Sequence, residues 1–224
     1  MLTKENKGFR VRSKNQELFV PKVIMATNGY TNGDFSWFKR RVFPLPSYII
    51  STEDLPHDLV NELSPRRRLM VETRAQHNYF RVSPDGNKII FGGRASMKAI
   101  PLAYAAKRLK SSLDDIWPEL RQYGLTNVWT GNTGFSFNQV PHVGQQNGIF
   151  YAMGFSGSGT VLAPYLGSKV AYLTFNDSRG RTAYQNTNFK TSPMHFLSKP
   201  YFLSVADFWF KYFTDKRQSH LKRK

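Results

Sequence analysis

The sequence predicts an α+β fold derived from the α/β class, with more strands than helices. Short runs of β-branched and aromatic residues around turn residues, such as "NYFRVSPDGNKIIFGG", predict strands joined as hairpins. Apolar residues recur at helical spacing in two segments, 101–117 and 160–175. One apolar run, "GIFYAM", leads through closely spaced glycines into the second of these helices. With 224 residues and 40% hydrophobic content, the chain is long enough to bury a core.

The elements predicted for the first part of the chain are mostly strands. "GFRVRSKNQELFV" is predicted to form a hairpin, because Phe9 and Val11 alternate with arginines before the polar turn. The four apolar residues of "KVIMA" predict a strand buried on both faces. A further strand is expected at 47–52, and "DLPHDLVNEL" is expected to form a short helix that ends before Pro65.

The second part alternates strands with two helices. Two strands are expected on either side of the turn at 83–86, where proline and glycine suit a tight turn. The helix at 101–117 begins at a proline and ends before another. "NVWTGNTGFSF" is predicted to form a strand, with Trp129 in the core. The helix at 160–175 is expected to hold Pro164 in its first turn.

The composition excludes several kinds of chemistry. The absence of cysteine excludes disulfides, thiolate metal sites and a cysteine-linked cofactor. The five histidines show no ligand spacing, so no metal site is predicted. No apolar run approaches the roughly 18 residues that a membrane span needs, and the N-terminal residues lack the apolar core of a signal peptide. We therefore expect a soluble cytoplasmic protein.

The net charge of +17 favours polyanions as partners. Because the basic residues are scattered and accompany no nucleic-acid-binding motif, we expect a basic solvated surface and no specific nucleic acid. A basic polyanion-binding module remains an alternative. The aromatic segment "PYFLSVADFWFKYF" has basic residues after it. It is predicted either to pack on the domain or to make a peripheral membrane contact.

The glycine turn before the second helix differs from a dinucleotide-binding loop. Its order, Gly154-x-x-Gly157-x-Gly159, inverts the Gly-x-Gly-x-x-Gly pattern that lets a pyrophosphate approach. Ser156 likewise does not fit the Gly-x-Ser-x-Gly spacing of a hydrolase nucleophile. The backbone N–H groups at 158–161 would still point out of a helix start, where negative charge is favoured.

Five segments occur in an order that resembles one enzyme family. They are "KVIMATNGYT", "SYIISTEDL", "NYFRVSPDGNKIIFGGRAS", "VWTGNTGFSFNQVPHVG" and "GIFYAMGFSGSGTVLAPYLGSKVA". Together they resemble the D-amino-acid oxidase-like family of FAD-dependent oxidoreductases, in particular its gamma-glutamylputrescine oxidoreductase and glycine oxidase-like branch. The resemblance implies oxidation of the C–N bond of a small amine or amino acid by hydride transfer to FAD, which gives an imine.

The resemblance also assigns residues to the cofactor and the substrate. Residues expected near FAD are Ala26, Thr27, Asn28, Gly131, Gly154, Phe155, Ser156, Gly157, Ser158, Gly159 and Thr160. Residues of the sheet expected to roof the substrate pocket are Tyr48, Tyr79, Arg81 and Arg94, although an arginine on a solvated sheet face remains an alternative. No catalytic acid or base is assigned, because the family relies on positioning over the flavin ring.

The domain organisation follows from the same resemblance. Residues 1–40 are expected to be a remnant of the FAD-binding domain, and residues 41–128 the mixed, largely antiparallel substrate-domain sheet with its helix. Residues 129–175 would be the flavin-facing segment with a returning strand and helix, and 176–224 a basic, aromatic tail.

The family's N-terminal Gly-x-Gly-x-x-Gly unit is not found in the sequence, so the FAD-binding domain is expected to be incomplete. We expect weak FAD binding and no activity by the chain alone, with a separate N-terminal half as a partner. A non-catalytic remnant or interaction module is the alternative.

Overall fold

The computed structural model describes residues 1–73, 77–185 and 187–191, together with Leu203 and Trp209. The aromatic segment at 200–213 lies outside the described residues, apart from these two positions. The chain divides into two compact units. Unit 1 comprises Met1–Leu45 and Asn132–Pro200, and unit 2 comprises Pro46–Gly131 and Tyr201–Lys224. The domain boundaries expected from the sequence stay a prediction.

Strands outnumber helices in the described residues, in agreement with the predicted class. The strands are β1 (Leu2–Glu5), β2 (Gly8–Arg12), β3 (Glu17–Val20), β4 (Ile24–Met25), β5 (Val42–Thr52), β6 (Met70–Val71), β7 (Asn78–Val82), β8 (Ile89–Gly93), β9 (Leu125–Ser136), β10 (His142–Gln146) and β11 (Ile149–Met153). The α-helices are α1 (Ser36–Lys39), α2 (His57–Leu63), α3 (Leu102–Ile116) and α4 (Gly159–Thr174). Short 3₁₀ turns occur at Asn28–Tyr30, Gly33–Phe35, Pro118–Gln122 and Ser178–Gly180.

The first sheet of unit 1 has the antiparallel order β1-β2-β3. The predicted hairpin is confirmed, with Phe9 opposite Val20 and Val11 opposite Leu18. Strand β1 was not expected, because its sequence "LTKE" is polar. It is held by pairing with β2 and by an ion pair between Glu5 and Arg10.

The second sheet of unit 1 has the order β10-β11-β4, in which β4 runs parallel to β11. Helix α4 covers one face, where Leu166 and Val170 pack against Val143 and Ala152. The other face carries an aromatic cluster that includes Phe38, Tyr151 and Phe189. This sheet positions the glycine turn, because the turn directly follows β11.

Unit 2 contains most of a five-stranded sheet with the order β6-β7-β8-β5-β9. Its hairpin turns at Gly86, whose φ of +87° requires a glycine and whose N–H donates to the Ser83 carbonyl over 3.0 Å. Helix α3 buries Ala105, Leu109 and Leu113 against the sheet, as its periodicity predicts. The division between the two units falls within β5 and β9.

Three predictions about individual residues were wrong. Strand β4 is not buried on both faces, because Ile24 is 43% exposed at the edge of its sheet. Pro164 lies past the first turn of α4, which begins at Gly159, so its missing N–H removes a hydrogen bond inside the helix. Trp129 is 41% exposed rather than part of the core.

Candidate functional site

The glycine turn at 154–159 has an unusual backbone. Three residues lie in the left-handed region, with φ of +76° at Gly154, +52° at Ser156 and +96° at Gly157. Gly154 is buried, and a Cβ there would meet the Cβ of Ser136 at 3.1 Å. Gly157 is exposed, and the nearest atom to an added Cβ would be the Phe135 ring at 3.8 Å. The turn is therefore packed at its start and open at its tip.

Asn28 connects the turn to the loop that follows β4. Its Oδ1 accepts a hydrogen bond from the Gly154 N–H over 3.0 Å, and its own φ is +45°. Gly134 packs against the same side chain, so that a Cβ at Gly134 would overlap Asn28 Oδ1. The left-handed backbone at Asn28 is one that asparagine adopts more readily than most residues.

The end of β9 forms the third segment of the same site. The Ser156 N–H donates to the Gly134 carbonyl over 2.9 Å, and Phe155 pairs with Phe135 as an isolated antiparallel bridge. The Ser136 N–H donates to Ser156 Oγ over 3.3 Å. The structure thus brings together three of the segments that were expected near the cofactor.

Three further residues expected near FAD are Ala26, Thr27 and Gly131. Ala26 and Thr27 are exposed, and the hydroxyls of Thr27 and Thr31 lie 2.7 Å apart. Tyr30, which the sequence interpretation missed, accepts a hydrogen bond from the Asn132 N–H over 2.9 Å. A tyrosine in a 3₁₀ turn gives no sequence signal of such a contact. Gly131, which directly precedes Asn132, belongs to unit 2.

The start of α4 offers hydrogen-bond donors to a ligand. The first N–H groups of a helix have no partner within it, and the Ser158 side chain makes no capping hydrogen bond. Ser158 and Thr160 are exposed. Donors at a helix start suit an anionic or electron-rich group. An added Cβ at Gly157 would have only the Phe135 ring within 4 Å, so this exposed position leaves room for the flavin edge that the resemblance leads us to expect.

Three of the four residues expected near the substrate share one face of the sheet in unit 2. In β7, Asn78, Phe80 and Val82 are buried, and Tyr79 and Arg81 point to the opposite face. Tyr79 lies opposite Gly92, and its ring occupies the space that a side chain at Gly92 would need.

The polar groups on this face differ in burial. The Tyr79 hydroxyl is 2.5 Å from Ser47 Oγ. Arg94 follows Gly93 on the Tyr79 side by alternation and is half-buried. Burial lowers the pKa of the Arg94 guanidinium, and the nearby Tyr79 phenol partly offsets that effect. Arg81 is exposed, and its Nε donates to the Val82 carbonyl over 2.9 Å.

Tyr48 lies on the other face of the same sheet. It is 1% exposed and belongs to the core cluster with Phe91 and Leu109. The Ile100 N–H donates to its hydroxyl over 2.8 Å. Tyr48 therefore does not share the face of Tyr79, Arg81 and Arg94, and its contacts account for it as a core residue. Its expected role at the substrate stays a prediction.

A buried histidine that the sequence interpretation did not single out lies in unit 1. His142 is 1% exposed, and burial lowers its pKa to about 4. Its Nε2 donates to Asn138 Oδ1 over 2.9 Å, and its Nδ1 accepts from the Thr187 hydroxyl over 2.7 Å. The ring stacks on Phe189 with centroids 4.0 Å apart. A neutral imidazole satisfies both hydrogen bonds.

The described part of the chain contains no cluster of three or more metal-ligating residues. It also contains no helix that is long and apolar enough to span a membrane.

Comparison with known proteins defines the class to which this fold and site belong. Residues 2–173 match the family described as FAD dependent oxidoreductase. The chain belongs to this family, as the five ordered segments predicted, and FAD is the family's cofactor.

Individual relatives agree with this assignment. The chain is 24% identical over 189 residues to a probable oxidoreductase OrdL of Haemophilus influenzae, covering 82% of this chain and 43% of the relative. It is 25% identical over 178 residues to gamma-glutamylputrescine oxidoreductase of Escherichia coli, covering 79% of this chain and 42% of the relative. The chain thus spans less than half the length of these curated relatives.

Solved structures show the same fold. Glycine oxidase from Geobacillus kaustophilus matches with a TM-score of 0.66 at 16% identity, over 86% of this chain and 50% of that one. L-proline dehydrogenase from P. horikoshii matches with a TM-score of 0.61 at 20% identity, over 82% of this chain and 50% of that one. The predicted mixed α and β fold with antiparallel sheets is therefore confirmed.

Proposed function

We propose that this chain supplies the flavin-facing and substrate-facing parts of an FAD-dependent oxidoreductase that oxidises the C–N bond of an amine or amino acid. FAD, when bound, accepts the hydride that leaves the carbon next to the substrate nitrogen. The names of similar proteins refer to gamma-glutamylputrescine, glycine and L-proline, which are all amines or amino acids. They support this substrate class.

The observation that carries the proposal is the hydrogen bond between Asn28 and Gly154. It joins the loop after β4 to the glycine turn, and Gly134 packs between these two segments. In this proposal, Asn28 and Gly134 hold the turn so that the N–H groups at 159–161 face the flavin ring, since the Ser158 N–H already donates to the Phe155 carbonyl over 3.0 Å. Donors fixed in this way would stabilise the negative charge that a flavin gains on reduction.

The proposed substrate residues are Tyr79, Arg81 and Arg94, because they share one face of the sheet, whereas Tyr48 lies on the other face. Arg94 is the strongest of them, because it is half-buried beside Tyr79 and could bind a carboxylate or another anionic substrate group. Arg81 is more exposed and suits the mouth of a pocket. Tyr79 could donate a hydrogen bond toward the substrate, with its ring held against Gly92.

We also propose that the chain alone does not oxidise amines. The 224 residues contain no Gly-x-Gly-x-x-Gly unit after a strand, the unit that ordinarily binds the pyrophosphate of FAD. Much of the affinity for FAD would then come from outside this chain. The activity would need the polypeptide that supplies the phosphate loop.

The proposal is tested by purifying the tagged chain from its native host under non-denaturing conditions and recording its visible absorbance. We expect flavin bands that bleach when glycine, L-proline or gamma-glutamylputrescine is added without oxygen. The chain produced alone in another host should show no amine oxidation. A colourless native preparation would favour the non-catalytic module. A colourless preparation with salt-sensitive retention on nucleic acid would favour the polyanion-binding alternative.

A further inference from the structure

The apolar stripe of helix α3 extends beyond the core that the helix covers. Ala105, Leu109 and Leu113 recur at helical spacing and are buried against the sheet of unit 2. Leu102 lies about two turns before Leu109, so the same periodicity places it on the same side of the helix. Leu102 is nevertheless 40% exposed. The first turn of α3 therefore carries an apolar side chain that the core of the chain leaves open to solvent.

The residues around Leu102 form a short apolar surface. The sequence "AIPLAY" at 99–104 contains no polar side chain except for the tyrosine hydroxyl. All of these residues are exposed apart from the half-buried Ile100, and Tyr104 is 52% exposed. We call residues 99–104 the α3 tip. A cluster of exposed apolar residues, unlike a single one, marks a surface that binds something.

Hydrogen bonds hold the backbone of the α3 tip in place. The Ile100 N–H donates to the Tyr48 hydroxyl over 2.8 Å, and Ile100 packs against the core cluster that contains Tyr48. The Lys98 N–H, just before the tip, donates to Ser96 Oγ over 3.1 Å. The exposed side chains thus project from a fixed backbone, which reduces the conformational entropy lost when a partner buries them.

Basic residues border the α3 tip, and acidic residues are absent from its surrounding sequence. Residues 86–113 contain six lysines and arginines and no aspartate or glutamate. Lys98 and Lys107, on either side of the tip, are exposed, and neither forms an ion pair with another described residue. The Arg108 guanidinium lies 5.9 Å from the centre of the Tyr104 ring. An apolar surface with a cationic border complements anionic headgroups above an apolar layer.

We propose that the α3 tip binds an anionic phospholipid surface. Leu102 and Tyr104 would insert at the boundary between headgroups and acyl chains, where leucine gains apolar burial and tyrosine keeps its hydroxyl near water. Lys98 and Lys107 would lie at the headgroup phosphates. This peripheral contact involves a different part of the chain from the aromatic segment at 200–213. It does not depend on the proposed oxidoreductase function.

The observations favour a lipid surface over three other occupants. A stable protein interface involves about 20–30 residues on each side, far more than the α3 tip provides. A nucleic acid stacks its bases on several aromatic residues along a basic groove, whereas the tip has one aromatic residue, Tyr104. A second copy of this chain would bring Lys98 and Lys107 close to like charges.

The first test measures insertion at the tip itself. Because the chain has no cysteine, Tyr104→Cys provides one attachment site for a fluorophore whose emission depends on polarity. The matched control is Leu69→Cys, in the same unit, where Leu69 is 63% exposed and follows three arginines. The labelled full chain is mixed with vesicles of phosphatidylcholine, with or without phosphatidylglycerol. On phosphatidylglycerol vesicles, we expect the emission at position 104 to shift to the blue and to resist quenching by aqueous iodide, with neither effect at position 69.

The second test separates the tip from the general attraction of a chain with net charge +17 to anionic vesicles. Lys98→Glu combined with Lys107→Glu is compared with Lys7→Glu combined with Lys14→Glu, two other exposed lysines. Both pairs lower the net charge equally. We expect the first pair to weaken co-sedimentation with phosphatidylglycerol vesicles much more than the second.

The apolar contribution is measured with two leucines. Leu102→Asp should weaken vesicle binding by about tenfold, since it removes the burial of one leucine side chain in the lipid. Leu69→Asp should leave the binding nearly unchanged. Thermal unfolding of each variant shows that it is folded.

Several results would overturn the proposal. They are an absence of vesicle binding, equal losses from the two lysine pairs, and a fluorophore at position 104 that stays in water on phosphatidylglycerol vesicles. A blue shift at position 104 that appears with an oligonucleotide, or with increasing protein concentration in the absence of lipid, would instead indicate a nucleic acid or a second copy of the chain as the occupant.

Discussion

Asn28 Oδ1 accepts a hydrogen bond from the Gly154 N–H over 3.0 Å, although 126 residues separate the two positions along the chain. The bond joins the loop after β4 to the turn before α4. Gly154 is buried. If the Asn28 side chain were removed, the Gly154 N–H would therefore lose its hydrogen-bond acceptor in a place that water does not readily reach.

Three substitutions at Asn28 distinguish the effect of losing the hydrogen bond from the effect of the left-handed backbone conformation. We expect Asn28→Ala to lower the free energy of unfolding by about 2 kcal/mol, since it removes the acceptor of a buried N–H. Asn28→Gly also removes the acceptor but tolerates φ of +45°, so it should cost less than alanine. Asn28→Asp keeps an acceptor and should cost least. Urea unfolding of the three variants measures this order, and equal losses would contradict it.

Gly134 and Gly167 form a matched pair of glycines. A Cβ at Gly134 would overlap Asn28 Oδ1 and lie 2.7 Å from the Gly29 nitrogen, whereas a Cβ at Gly167 in α4 would meet nothing within 4 Å. We expect Gly134→Ala to destabilise the chain by about 1–3 kcal/mol. Gly167→Ala should stabilise it by up to about 1 kcal/mol. Thermal unfolding gives the two signs, and a stable Gly134→Ala variant would show that the packing at Asn28 is loose.

His142 makes stability depend on pH. Its pKa is lowered to about 4 in the folded chain, against about 6.5 when unfolded, so the unfolded chain binds more protons between these values. The contribution of neutral His142 to the free energy of unfolding is fully present above about pH 6.5. It falls by roughly 3 kcal/mol as the pH is lowered toward 4.

The measurement is urea unfolding between pH 4 and 7 for the wild type, His142→Gln and His57→Gln. The glutamine at 142 should flatten the pH dependence. The exposed His57 serves as the matched control for the general effect of replacing a histidine with glutamine. Identical profiles for both variants would contradict the assignment to His142.

Two tyrosines of the sheet in unit 2 should respond differently to loss of the hydroxyl. Tyr48→Phe leaves the Ile100 N–H without its acceptor and should cost about 1–3 kcal/mol of stability. Tyr79→Phe loses only a contact with Ser47 in a half-buried position and should cost less. If Tyr79 contacts the substrate, its variant should raise KM in the native holoenzyme. Tyr48→Phe should not, and a reversed pattern would reverse the two assignments.

The sequence alone predicted the elements whose signals are local. The helix at α3 follows from apolar spacing, and the hairpin turn at Gly86 follows from a proline and glycine at fixed positions. The short strands β1 and β6 could not be predicted, because they are defined by pairing partners rather than by their own residues. The exposure of Ile24 and Trp129 likewise depends on what lies beside them in space.

The site shows the same limit. The ordered motifs predicted which segments face the cofactor, but the contact between Asn28 and Gly154 joins residues far apart in sequence. The separation of Tyr48 from Tyr79 also needed the structure. Alternation within β7 placed Tyr79 and Arg81 together, whereas the face of Tyr48 depends on the register of β5 against β8.

The flavin content of the chain purified from its native host, wild type against Asn28→Ala, tests the proposed function most directly. We expect the wild-type preparation to show flavin absorbance that bleaches with an amine under anaerobic conditions. The Asn28→Ala preparation should hold less flavin or bleach more slowly at a protein concentration where both are folded. A colourless wild-type preparation, or flavin behaviour identical in both, would contradict the account.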